Sequence, residues 1–98
     1  SLVTDVPSIS MMQKTGYPVI FDATHSAQMP GETGDITGGM RDYVPVLAYA
    51  ATAAGCNGIF LEVHDNVSEA KSDAATQWPL DKLSNLLTII KQIYQATK

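Results

Sequence analysis

Val19-Ile20-Phe21-Asp22-Ala23-Thr24-His25-Ser26 and Gly58-Ile59-Phe60-Leu61-Glu62-Val63-His64-Asp65 decide how this chain is read. Each is a short apolar run followed at once by polar, metal-capable side chains. Parallel strands buried on both faces read as near-continuous hydrophobic runs, and in α/β enzymes the chemistry gathers just beyond their carboxyl ends. Two such endings place a candidate site at one rim of a parallel sheet. They also predict that most of that site lies on other strands.

The intervening segments support the same order. Pro7 fixes the first turn of a short helix that runs to a glycine stop at Gly16, and Tyr17 to Asp22 is then a strand. Thr24 to Met40 contains Pro30, Gly31, Gly34, Gly38 and Gly39, which predicts a long mobile loop of the kind that serves as a lid. From Arg41 the pattern turns helical, with Tyr43, Leu47, Ala50, Ala51 and Ala54 on one face, Pro45 in the first turn and Gly55 as the stop. Gly58 to Val63 is the second strand, and His64 to Trp78 a polar loop. Pro79 opens a last helix with Leu80, Leu83, Leu86, Leu87, Ile90, Ile93 and Tyr94 along its apolar face. Strands alternating with helices imply right-handed parallel units, yet two strands neither close a barrel nor bury both faces of their own sheet. The chain is therefore expected to be the carboxyl-terminal part of a larger α/β fold, with an uncovered sheet face carrying Val19, Phe21, Phe60 or their strand neighbours. No internal repeat beyond the two units and no low-complexity tract is present.

Composition narrows the function classes. The 98 residues are 45% hydrophobic and 16% charged, ordinary for one small globular domain and contrary to disorder. The longest apolar stretch, Val44 to Cys56, is broken by Pro45 and Thr52 and is too short to span a bilayer, and no charged-then-apolar leader opens the sequence. A soluble, unprocessed, cytoplasmic chain is expected, and the single cysteine, Cys56, fits a reducing compartment. The formal charge is −4, and Arg41 with five scattered lysines forms no basic stripe, so neither nucleic acid nor membrane is an expected partner.

His25 lies just past the first strand, Glu62 closes the second, and Asp73 sits in the loop after it. One imidazole and two carboxylates at one rim make a first shell for a divalent transition metal. Spacing alone leaves other readings open: a locally hydrogen-bonded strand-end histidine, a strand-end carboxylate facing solvent, and a solvated loop aspartate. Glu62 has the stronger claim, because an acid abutting a buried apolar run needs a partner.

The string Thr24-His25-Ser26-Ala27-Gln28-Met29-Pro30-Gly31, continued by Gly34-Asp35-Ile36-Thr37-Gly38-Gly39-Met40-Arg41, resembles the 3-deoxy-D-manno-octulosonate 8-phosphate synthases. So does Leu61-Glu62-Val63-His64, followed by Lys71-Ser72-Asp73-Ala74-Ala75-Thr76-Gln77 and Pro79-Leu80. The resemblance covers essentially the whole chain. It implies that residues 1–98 are the last two βα units of a single TIM (β/α)8-barrel domain, a fold of roughly 250 residues, and that the chain alone is inactive. It further implies a transferase that condenses phosphoenolpyruvate with D-arabinose 5-phosphate and water, giving 3-deoxy-D-manno-octulosonate 8-phosphate and phosphate for lipopolysaccharide synthesis. The enzymes of this family are homo-oligomers, tetrameric in the family, acting on small phosphorylated substrates.

Position by position, the resemblance makes His25, Glu62 and Asp73 metal ligands, with His25 and Asp73 catalytic, and makes Gln28 and Thr37 contacts to the sugar phosphate. Many relatives have serine where Thr37 stands, so a hydroxyl is kept with an added methyl. The divalent metal depends on a cysteine at an amino-terminal position outside this chain, where the metal-independent branch has asparagine. Ser72-Asp73 and Met29-Pro30-Gly31 look more like the metal-using branch. Asp22 and His64 are expected to orient His25 and buffer the rim, Arg41 to contact phosphate or, as the favoured reading, to open its helix, and Cys56 to be a buried structural thiol. Two alternatives stand beside this reading. The 3-deoxy-D-arabino-heptulosonate 7-phosphate synthases share the Glu-Val-His ending but usually lack the insertion spanning Gln28 to Met40, and a truncated structural piece has no catalytic role at all.

Overall fold

The computed structural model describes residues 6–28, 37–69 and 75–98. In order they form helix α1 (Pro7–Gln13), strand β1 (Ile20–Asp22), a single helical turn α2 (Ala23–Ser26), helix α3 (Thr37–Ala53), strands β2 (Gly58–Phe60), β3 (Val63–His64) and β4 (Trp78–Pro79), and helix α4 (Leu83–Ala96). The class is α/β. β1 and β2 pair in parallel across the α2 and α3 crossover, with Ile20 opposite Gly58, Phe21 opposite Ile59 and Asp22 opposite Phe60.

Local sequence explains both helix stops. α1 starts on a proline, and the chain turns away at Gly16, whose φ of 88° is one that L side chains rarely adopt. α3 ends in a Schellman motif: Gly55 at φ 101° donates its N–H to the Thr52 carbonyl, and Cys56 donates to Ala51. Asn57 then fastens the new strand to the old one. Its N–H donates to the Val19 carbonyl and its Oδ1 accepts from the Val19 N–H, both at 2.8 Å, while Gln13 at the end of α1 donates to the same oxygen at 3.1 Å.

The two faces of the β1 and β2 pair differ. Val19 and Phe21 point to the helices and join Ile9, Val44, Ala48 and Ala51 in the core. Ile20, 60% exposed, and Phe60, 45% exposed, lie on the other face. Among the described residues the exposed face is that of Ile20 and Phe60, so of the residues expected there Phe60 and a strand neighbour of Val19 and Phe21 occupy it, and Val19 and Phe21 themselves do not. Alternation along a strand sends neighbours to opposite sides.

Several further boundaries differ from the sequence reading. α3 begins at Thr37 and passes straight through Gly38-Gly39, so Pro45 lies inside the helix, where it removes the N–H that would bond the Arg41 carbonyl. Arg41 accordingly sits within α3 and does not open it. The buried stripe of α3 is Val44, Ala48 and Ala51, with Tyr43 and Ala50 exposed. Thr52 belongs to the buried side because its hydroxyl donates to the Ala48 carbonyl at 2.7 Å. Within the supposed polar loop, Val63 pairs with Trp78 and His64 with Pro79 in a second short parallel ladder. Pro79 ends that ladder, and a 3-10 turn (Leu80–Lys82) leads into α4. Of the apolar face of α4, Leu86 is buried, whereas Leu80, Leu87 and Tyr94 are about half exposed. The expected loop from Thr24 is interrupted by α2, and its residues 29–36 lie outside the described residues. Among the described residues no helix is long and apolar enough to cross a membrane.

Asn57 makes a testable clamp. Asn57→Ala removes the acceptor for Val19 and Gln13 and should lower stability by about 1–2 kcal/mol, whereas Asn57→Asp keeps that acceptor and should cost less. Urea denaturation of the protein and its two variants measures the difference.

Candidate active site

The carboxyl ends of β1 and β2 lie side by side, and the polar residues that follow them meet there. Asp22 ends β1 in an extended conformation and caps α2. Its Oδ1 accepts the His25 N–H at 2.9 Å, and its Oδ2 lies 2.8 Å from His25 Nδ1. One carboxylate therefore fixes both the backbone and the ring of His25. The accepted N–H is one of the orphan donors of a helix start, which is why an aspartate at this point favours a turn over continuation of the strand.

The ring so held presents Nε2 toward the second strand ending, where Glu62 Oε2 lies 3.6 Å away. The imidazole also stacks on Phe60, with ring centroids 6.3 Å apart and planes inclined by 29°. Glu62 is anchored along its length. Its N–H donates to the Thr24 hydroxyl at 2.8 Å, its carbonyl accepts the Trp78 N–H at 2.9 Å, and its Oε1 accepts a long bond of 3.4 Å from Gln77 Nε2. Arg41 Nε donates to the Gln77 carbonyl at 2.8 Å, tying α3 to the segment that supports Glu62.

This arrangement has a definite electrostatic sense. A carboxylate on Nδ1 selects the tautomer with its proton there, which leaves the Nε2 lone pair facing a second carboxylate. Two acceptors 3.6 Å apart repel unless a proton or a cation lies between them. Ligands each about 2.0–2.2 Å from one ion stand within roughly 4 Å of each other, so His25 and Glu62 fit two positions of a metal's coordination shell. Asp22 would then be the outer carboxylate that orients the histidine. Among the described residues no group of three or more His, Cys, Asp and Glu side chains is arranged to hold an ion, and Asp73 lies outside them.

The remaining expected residues are placed as follows. Gln28 is half-buried just after α2 and its N–H donates to the His25 carbonyl at 3.2 Å, while Thr37 is the first residue of α3. His64 Nδ1 accepts the Asn66 N–H at 2.8 Å. That nitrogen is therefore engaged in its own loop, which does not support the expected buffering of the rim. Cys56 is buried before β2, at the opposite end of the strand from Glu62. Burial pushes its thiol up, against a backbone hydrogen bond with Gly58. Thr24 and Gln77 were not assigned any part in the site by the reading of the sequence. The position of Thr24 can be read only once the register is known: two residues beyond the pair Asp22 and Phe60, it stands level with Glu62.

The whole chain, residues 1–98, matches the model of the DAHP synthetase I family. All 98 residues align at 49% identity with a protein of Acidithiobacillus ferrooxidans (strain ATCC 53993 / BNL-5-31) named 2-dehydro-3-deoxyphosphooctonate aldolase, covering 35% of that protein. The identity is again 49%, covering 36% of each relative, with proteins of the same name from Xanthomonas campestris pv. campestris (strain B100) and Xanthomonas oryzae pv. oryzae (strain PXO99A). The chain thus spans about a third of the length of these curated relatives.

The tautomer is directly measurable. In metal-free protein at alkaline pH, imidazole 15N shifts are expected to show His25 protonated at Nδ1 and bare at Nε2. In Asp22→Asn the preference for that tautomer should weaken. A parent ring protonated at Nε2 would contradict the geometry.

Proposed function

The chain belongs to the DAHP synthetase I family, and on that premise we propose that it is the carboxyl-terminal part of an octulosonate 8-phosphate synthase. In this reading β1 and β2 are the last two strands of a (β/α)8 barrel, and residues 1–98 fall within that one domain. The whole enzyme condenses phosphoenolpyruvate with D-arabinose 5-phosphate and water, giving 3-deoxy-D-manno-octulosonate 8-phosphate and phosphate. The observation that carries the reading is the meeting of His25 and Glu62 beyond two parallel strands, in a chain 49% identical to proteins named for the octulosonate product. A cytoplasmic homo-oligomer making a lipopolysaccharide precursor, with no nucleic-acid or membrane partner, completes the proposal.

In the reaction, C3 of phosphoenolpyruvate forms the new bond to the aldehyde carbon, water adds at C2, and phosphate leaves with carbon–oxygen cleavage. His25, Glu62 and Asp73 are assigned as ligands of a divalent ion, together with a residue outside this chain. Bound there, the ion supplies Lewis acidity for the aldehyde or lowers the pKa of a positioned water. Asp22, 2.8 Å from His25 Nδ1, is assigned to hold the ring with Nε2 toward the site. Gln28 and Thr37 are assigned to the sugar phosphate. The glycine-rich stretch between them, outside the described residues, is assigned the role of a lid, since a reactive C2 centre must meet one placed water rather than bulk solvent. Arg41 Nε is committed to the Gln77 carbonyl, and the chain's few other cations are scattered lysines. Most of the charge that neutralises two phosphorylated substrates is therefore assigned to other parts of the enzyme.

The family description itself names the heptulosonate activity, so a second reading is tested in the same assay. With the full-length enzyme, phosphate release from phosphoenolpyruvate should require a five-carbon aldose phosphate. Release with a four-carbon aldose phosphate instead would assign the heptulosonate reaction, because three carbons come from phosphoenolpyruvate in either case. His25→Ala should reduce turnover by at least about 100-fold, beyond the loss typical of outer partners, and should lower bound metal measured by elemental analysis. Full activity after chelation would place the enzyme in the metal-independent branch, and near-normal turnover in His25→Ala would remove this rim as the reaction centre.

A further inference from the structure

The parallel ladder between β1 and β2 ends at Asp22 and Phe60, yet the two side chains that face each other, His25 and Glu62, lie beyond it. Something other than strand pairing must hold them level. At Ala23 the first chain leaves the extended conformation and enters α2, so it no longer offers a strand carbonyl to the neighbouring chain. The Glu62 N–H, two residues past the last pair, would then lack an acceptor. It finds one in the Thr24 hydroxyl at 2.8 Å.

Thr24 is fully buried, with 0% of its surface exposed. A buried hydroxyl with a short bond to a backbone N–H is a specific device, because an unpaired amide at that place would be destabilising. Thr24 also precedes His25 directly, and the same helical turn that aims the ring is capped by Asp22. The far side of Glu62 is tied independently by Trp78 N–H on its carbonyl. The two bonds fix the peptide groups on both sides of the Glu62 Cα, and with them the direction in which its carboxylate leaves the chain.

We propose that Thr24 is a positioning residue: its hydroxyl stands in for the strand carbonyl lost at α2 and holds Glu62 at the distance from His25 that the site requires. The proposal deepens the synthase reading and rests on it only for the kinetic part of its test. A β-branched residue with one hydroxyl suits the position. The oxygen faces the neighbouring strand, and the branched side chain has few rotamers to lose.

The test compares Thr24→Val, which keeps shape and loses the acceptor, with Thr24→Ser, which keeps the acceptor, in the full-length protein. Crystal structures of the metal-free proteins should show the His25 Nε2 to Glu62 Oε2 separation enlarged in Thr24→Val and unchanged in Thr24→Ser. Thr24→Val should lower kcat about tenfold or more, with KM for both substrates within about threefold of the parent, the pattern of a lost transition-state interaction. Thr24→Ser should retain kcat. Thr24→Val with the parent's separation and kcat, or Thr24→Ser as damaged as Thr24→Val, would overturn the proposal. If the parent lacks synthase activity, the reaction assignment falls, and the crystallographic separation still decides the role of Thr24. Should Thr24→Val fail to fold, hydrogen exchange in the unaltered protein decides: a Glu62 amide protected as strongly as the β1 and β2 ladder supports the bond, and one exchanging like an open amide overturns it.

Discussion

The site depends on the register of one parallel pair. Ile20 opposite Gly58 and Asp22 opposite Phe60 bring the polar ends of β1 and β2 to the same level, and a slip of one residue would turn each side chain to the other face. Two features hold the register. Asn57 grips both backbone groups of Val19 with its own N–H and side-chain oxygen. Gly58 leaves room for Ile20: a Cβ there would come within 2.7 Å of Ile20 Cδ1, closer than nonbonded carbons approach. Ile20 would have to swing aside to admit it.

On that frame the electrostatics follow in sequence. Asp22 ends its strand, caps the turn that follows and spends its second oxygen on the His25 ring. The ring then turns Nε2 to Glu62, whose main chain is tied by Thr24 and Trp78. None of these groups is deeply buried at its charged end; His25 and Asp22 are each more than 40% exposed. The arrangement is an open rim whose polar groups are aimed before anything binds, and pre-aiming lowers the reorganisation that binding requires.

The parts legible in the sequence were those with a strong local cause. Apolar runs ending in Asp22 and Glu62 located both strands, and their polar sequels located His25 beside Glu62. Pro7, Gly16 and Gly55 marked helix boundaries through backbone preferences that tertiary contacts did not override. Gly38-Gly39 misled in the other direction: the pair suggested a loop, yet α3 runs through it, its intrinsic cost offset by the packing of Val44, Ala48 and Ala51 further along. The β3 and β4 ladder has two residues in each strand, too few for any alternation to show. Thr24 escaped notice because its role exists only after the register is known. A threonine next to a histidine has no distinctive pattern by itself, and its bond partner lies 38 positions away.

The central claim is that His25 and Glu62 are two donors to one cation at the ends of adjacent parallel strands. Anomalous diffraction from crystals of the full-length protein soaked in a manganous salt tests it most directly. The account predicts a peak bonded to His25 Nε2 and to a Glu62 carboxylate oxygen, with Asp22 still on Nδ1. A protein that takes up manganese elsewhere, or one whose His25 binds it through Nδ1 with Glu62 turned away, would contradict the account.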